Sequence, residues 1–278
     1  MIDVLTLTIV FATPLLLAVL GELVVQRSGM INLGVEGMML VAAMSAIAAA
    51  QVSGSATVGI LGGIAGAAIM AVLFGLFAIV LRADQIVTGT ALNLLALGVT
   101  SFVYRELQGR LVSVKSVVRT EVIVSLAWIV VPIVLGLLLW RSAFGLRLRA
   151  CGENPEAAEA AGASVAKHRA IALGIEAVLA GLAGGYLSLV LSNGFAENMT
   201  AGRGFIALSI VIFGRWKVKG AIVGTAIFGL AAALQYALQA AGRGLPFHLM
   251  LAIPYVVTLL ILCGVAGRVR APESLGRQ

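Results

Sequence analysis

Three carboxylates, Glu22, Glu36 and Glu176, lie inside otherwise apolar sequence. An ionised carboxylate deep in a bilayer costs about 3 kcal/mol on insertion scales, so such residues face a bundle interior or a water path. Glu22 and Glu36 flank a break in residues 21–39, GELVVQRSGMINLGVEGMM. Gly29 can end one helix, with Arg27 in its last turn against the negative end of the dipole. Asn32 can cap the next, with Glu36 in its first turn. Glu36 is then either a cap group or part of a gate or path, and both readings stay open. Thr88, Thr90 and Asn93 in QIVTGTALNLLALG, and Gln235, Tyr236 and Gln239 further on, are also polar groups within apolar runs. The amide of Asn93 donates and accepts without a charge to desolvate, which suits a path; hydrogen bonding between helices is its plainer role. Glu176 can pair with an arginine at a subunit contact or reach an interface. Glu22, Asn32, Glu36, Thr88 and Asn93 are the candidates for a translocation path or gate.

Such groups bind and conduct; the residues that would catalyse are missing. The chain has no GxxxxGK[ST] loop to cradle phosphates and no HExxH pair. Its histidines, His168 and His248, lie far apart, and Asp3 and Asp84 are its two aspartates. We expect a non-catalytic chain that holds no metal and no cofactor of its own.

The elements that position these residues follow from composition. Hydrophobic residues make up 61% and charged residues 11%, and mean hydropathy is +1.09, far from a soluble domain with about a quarter charged. Runs of about 20 apolar residues can cross a bilayer as helices. Candidate spans are residues 4–25, 35–51, 56–81, 86–104, 122–140, 170–191, 205–213, 218–239 and 245–265. The segments 35–51 and 205–213 are short and read as parts of broken or re-entrant helices. An all-α polytopic bundle of eight to ten crossings is expected, nine as a working figure, forming one domain over residues 1–278. The 33 glycines, with four-residue spacing at Gly59/Gly63, Gly62/Gly66, Gly181/Gly185 and Gly220/Gly224, suit helices packed at close range in lipid.

Basic residues set the orientation. With the N-terminus outside, the inner side receives Arg27, Arg82, Arg141, Arg147, Arg149, Lys167, Arg169, Arg215, Lys217, Lys219, Arg268, Arg270 and Arg277. The outer side receives only Arg105, Arg110, Lys115, Arg119, Arg203 and Arg243. The net charge of +7 is thus a loop signature, and no basic stripe with interleaved aromatics points to nucleic acid. The first apolar run lacks a basic lead-in and is too long for a cleaved signal peptide. Cys151 and Cys263 fall near the reducing side, so no structural disulfide is expected.

The cytoplasmic loop 141–169 holds the second motif, a very short helix. Asn154 is a good N-cap, Pro155 fits the first helical position, and Glu156 sits where the dipole favours an anion. Ala157, Ala158 and Glu159 propagate it, and Gly162 supplies a left-handed stop. Seven or eight residues give a rod of about 12 Å, marginal alone in water. A membrane protein that displays such a rod has something to dock.

Four segments in order carry a resemblance: GELVVQRSGMINLGVEGMM, QIVTGTALNLLALGVTSF, LRLRACGENPEAAEAAGASV and GRGFIALSIVIFGRW. Together, over about residues 17–229, they resemble the bacterial ABC-importer permeases of the branched-chain amino acid, ribose and nucleoside group, nearest the nucleoside or simple-sugar branch. The resemblance implies a permease subunit in the bacterial inner membrane, C-terminus cytoplasmic, that moves a nucleoside or related sugar-containing solute inward. It implies an ATP-binding partner that carries the ATP and Mg, a second and different permease chain, and an extracytoplasmic solute-binding protein. The short helix would be the coupling element, with Glu153, Asn154, Pro155, Glu156, Ala157, Ala158, Glu159 and Gly162 docking the ATPase. Two departures stand out: Lys217–Lys219 replaces an expected proline, and Glu176 stands where a small residue is usual. The alternatives are an ion-coupled secondary transporter built on Glu22, Glu36 and Glu176, a branched-chain amino acid or sugar importer permease, and a membrane-embedded enzyme or scaffold.

Overall fold

A backbone in lipid must satisfy its own polar groups, which leaves helices as the economical solution. The computed structural model of the chain describes residues 4–106, 120–240, 256 and 271–276. These form α1 (Val4–Arg27), α2 (Val35–Ser53), α3 (Ala56–Gly75), α4 (Gln85–Glu106), α5 (Thr120–Ser125), α6 (Val131–Arg141), α7 (Ala143–Glu153), α8 (Pro155–Ala160), α9 (Val165–Tyr186), α10 (Arg203–Phe213) and α11 (Val218–Ala240). Wider π-helical turns extend α3 over Leu76–Val80 and α9 over Leu187–Leu191, and a third, Leu126–Val130, joins α5 to α6 as one rod.

Among the described residues, seven rods are long and apolar enough to cross a membrane, and the chain is a polytopic helical membrane bundle. The short span expected at 35–51 is a 19-residue helix of full crossing length. The one expected at 205–213 is α10, only 11 residues. At 1.5 Å per residue it covers about half of a 30 Å hydrocarbon core. The span expected at 245–265 lies, apart from Val256, outside the described residues, as do Cys263 and His248. His168, at the end of the stretch read as the 141–169 loop, is buried in α9 and stacks on Phe144 at 5.5 Å.

The core forms around α1, whose side chains from Ala12 to Gln26 are buried on every face. Helices α9, α10 and α11 pack closely against it. Pro14 sits inside α1 without ending it; beside it, Thr13 donates its hydroxyl to the Ile9 carbonyl at 2.7 Å and accepts Trp128 Nε1 at 3.0 Å. The α2–α3–α9 layer is set by small residues. A Cβ on Gly62 would lie 2.5 Å from Ala49 Cβ, and one on Gly181 would lie 2.5 Å from Ile64 Cα. Gly185 is looser, its nearest neighbour 3.6 Å away, so only one member of that predicted pair sets a close approach. On the periphery, Leu94, Phe102, Ile133 and Leu137 of α4 and α6 are more than half exposed, as suits faces that meet lipid or another subunit.

Candidate functional site

Among the described residues, the break between α1 and α2 is densely cross-linked by long-range hydrogen bonds. After Arg27 the chain reverses through Gly29, at φ +88°, which only glycine adopts freely. A Cβ there would also press on Ser274. Asn32 then turns inward. Its Nδ2 donates to Glu176 Oε2 at 2.7 Å, its backbone N–H to Glu22 Oε1 at 3.4 Å, and its Oδ1 accepts from Gly34 N at 2.9 Å. Glu22, Asn32 and Glu176 are fully buried, and Asn32 bridges the two carboxyl groups by donating to each. Glu22 Oε1 also accepts from Gln26 Nε2 at 2.8 Å. Among the described residues Glu176 therefore meets no arginine; it replaces the expected small residue because Asn32 and Glu22 fill the space opposite.

The expected caps are exchanged between helices. Asn32 does not cap α2. Asn93, from α4, does so instead: its Oδ1 accepts from Gly37 N and its Nδ2 donates to Leu33 O, both at 2.7 Å. Glu36 caps not its own helix but α10, accepting from Gly202 N at 2.8 Å and Gly204 N at 2.6 Å. A carboxylate suits this place because unpaired N–H groups and the dipole converge at a helix N-terminus. Gln85 takes Ile31 N at 2.7 Å; Thr88 is buried one turn further along α4. At the other end of α10, Trp216 donates Nε1 to Gln26 at 2.7 Å, and its carbonyl accepts from Arg27. One loop thus ties α1, α2, α4, α9 and α10 together.

Helix α8 projects from the same end of the bundle as Arg27. Asn154 Oδ1 accepts from Ala157 N at 3.0 Å, Pro155 occupies the first turn, and Gly162 takes φ +82°. Glu153, Asn154, Glu156, Ala157, Glu159 and Gly162 are exposed and Pro155 half-buried. Ala158 points the other way, into a cluster with Cys151, Ala163 and Val165, so it anchors the helix and presents nothing outward. The Cys151 thiol is raised above its ordinary range by this burial, partly offset by Arg169. The helix α7 leading to α8 touches the break: Gly152 packs on the Arg27 carbonyl and on Gly29. The C-terminal segment fastens the joint, with Ser274 N donating to Gly152 O and Gly276 N to Gly29 O, each at 3.0 Å.

A cavity of about 330 Å³ opens between α1, α11 and the N-terminus of α10. None of Glu22, Asn32, Glu36, Thr88 and Asn93 lines it. Its polar groups are Arg203, Gln235, Tyr236 and Gln239, beside the rings of Phe11 and Phe228. Gln235, Tyr236 and Gln239 were visible in the sequence as polar breaks in an apolar run; Arg203 read only as a loop charge.

Against known proteins, residues 4–262 match the family described as branched-chain amino acid transport system / permease component. The chain belongs to this family. It is 32% identical to the guanosine ABC transporter permease protein of Bacillus subtilis, over 97% of this chain and 93% of that one. It is 32% identical to the nucleoside ABC transporter permease protein of Lactococcus lactis, over 96% and 93%. A candidate glucose ABC transporter permease of Haloferax volcanii is 38% identical over 82% and 75%. No solved structure matches it. The chain is the multi-pass permease component of an ABC transporter. Subunits of this kind are typically not catalysts, and the family implies that ATP and Mg sit on a partner ATPase and that a solute-binding protein takes part.

Proposed function

We propose that this permease moves a nucleoside or related sugar-containing solute inward across the bacterial inner membrane, driven by an ATPase docked on residues 153–162. Residues 1–278 act as one permease domain, with the 141–169 loop inside and the N-terminus outside, beside a second, different permease chain. Relatives named for guanosine and nucleosides over nearly their full length support the solute class. The observation that carries the mechanism is the packing of Gly152 on the Arg27–Gly29 turn, sealed by Ser274 and Gly276. A push on α8 passes through α7 into the loop whose Asn32 holds α9, and so to the start of α2, which Asn93 ties to α4 and Glu36 ties to α10. Glu22, Asn32, Glu36, Thr88 and Asn93 then act as the joint of a gate rather than as a path lining. Such a device moves only if the docked ATPase binds one arrangement more tightly than the other.

The test is a reconstituted complex in which Glu156→Lys and Glu159→Lys are combined. Both side chains are exposed and reverse the charge of the α8 face without touching its core. Guanosine uptake should fall at least tenfold per ATP hydrolysed while the permease inserts and purifies normally. Unchanged coupling in that variant would remove α8 as the docking element.

A further inference from the structure

Resting on that reading, we infer that the cavity between α1, α10 and α11 is the station at which the solute meets this chain, with Gln235 and Gln239 as hydrogen-bonding groups and Tyr236 with Phe11 as an aromatic wall. Three observations point there. Among the described residues, neither glutamine amide has a hydrogen-bond partner, although both lie within the last turns of a membrane-crossing helix. An amide left unpaired against hydrocarbon costs several kcal/mol, and the cavity that both amides line has room for water or a polar solute to meet them. Second, Phe11 and Tyr236 stand 5.5 Å apart at 59°, a tilted pair that offers a π-surface to a planar ring. Third, the cavity ends at Arg203, the first residue of α10, next to the amides of Gly202 and Gly204 that Glu36 holds. Movement of the Glu36 joint would therefore change the floor of the cavity. A volume near 330 Å³ lies at the lower end of the range for small-molecule sites. Apolar rings and uncharged amides suit a neutral heteroaromatic ring carrying hydroxyl groups; Arg203 could meet the carboxylate of an amino acid, but no lining carboxylate would balance its ammonium group.

The test uses the whole transporter with its binding protein and ATPase, in a background with Cys151→Ser and Cys263→Ser. Gln235→Cys should react with a membrane-impermeant thiol reagent added from the side opposite α8. Guanosine during turnover should slow that labelling at least threefold. Val223→Cys, on an exposed apolar face of the same helix, should stay unlabelled until detergent is added. Separately, Gln235→Leu should lower guanosine uptake about tenfold, the worth of about one hydrogen bond, with solute affinity of the separate binding protein unchanged. The inference is overturned if the Gln235→Cys variant labels only in detergent, or if guanosine leaves its labelling and Gln235→Leu leaves uptake unaltered in a complex that transports. Absence of ATP-driven guanosine uptake by the wild-type complex would instead overturn the functional proposal, while the reagent would still report whether the cavity is wet.

Discussion

Replacing Glu36 by alanine should free the N-terminus of α10 from α2. Its two carboxyl oxygens bridge 166 and 168 residues of chain to the Gly202 and Gly204 amides. Hydrogen bonds to a charged group contribute about 1.5–3 kcal/mol each, and the helix dipole adds about 0.3–1 kcal/mol. Gly204 is buried but Gly202 only half so; water can reach the second amide, and the expected loss is about 3–4 kcal/mol. Glu36→Gln keeps one acceptor and sets an NH2 against the other amide, so about half that loss should follow. Gly204→Ala attacks the same joint sterically, since its Cβ would fall 2.6 Å from the Glu36 backbone N and Cα. Because both changes break one contact, the double variant should lose less than the two single losses together. Hydrogen exchange on the purified transporter is the assay: a loss of about 3 kcal/mol raises exchange at Gly202 and Gly204 by about 100-fold. Wild-type exchange at those amides in both the Gln and Ala variants would refute the reasoning.

Three further outcomes are expected. At the end of α8, Gly162 has open space around it but φ +82°. Gly162→Ala should therefore cost about 1 kcal/mol and speed exchange of the Ala157–Ala161 amides about fivefold, while Gly162→Asn costs less. In the core, Glu176→Ala should lower the melting temperature by several degrees, because it orphans Asn32 Nδ2 at about 1–3 kcal/mol and leaves a cavity; Glu176→Gln, which can still accept from Asn32, should melt within about two degrees of wild type. At the opposite end, Arg105 Nε donates to Glu197 at 2.9 Å, holding that carboxyl below its ordinary value of 4.5. A folded value below the unfolded one stabilises above the ordinary range and fades as pH falls through the folded value. A site-resolved titration should show this midpoint, and Arg105→Gln should return it to the ordinary range.

Local grammar determined much of this protein. Apolar runs longer than a bilayer is thick can only be helices. The cap, proline and glycine of residues 154–162 specify a short rod from neighbours in sequence alone, and Asn154 and Gly162 take up the expected roles in the structure. The break at Gly29 was equally legible, because glycine adopts a left-handed turn without steric cost. Partner choice was not legible. Asn32 and Glu36 each stand where a cap for α2 belongs, yet Asn93 caps α2, Glu36 caps α10, and Asn32 reaches Glu176 across 144 residues. A side-chain amide or carboxyl satisfies any N–H brought within about 3 Å, and only the packing of α1, α4, α9 and α10 decides which N–H that is. The same holds for Arg203, a loop charge in the sequence that the fold sets at the base of a cavity, beside glutamines from α11.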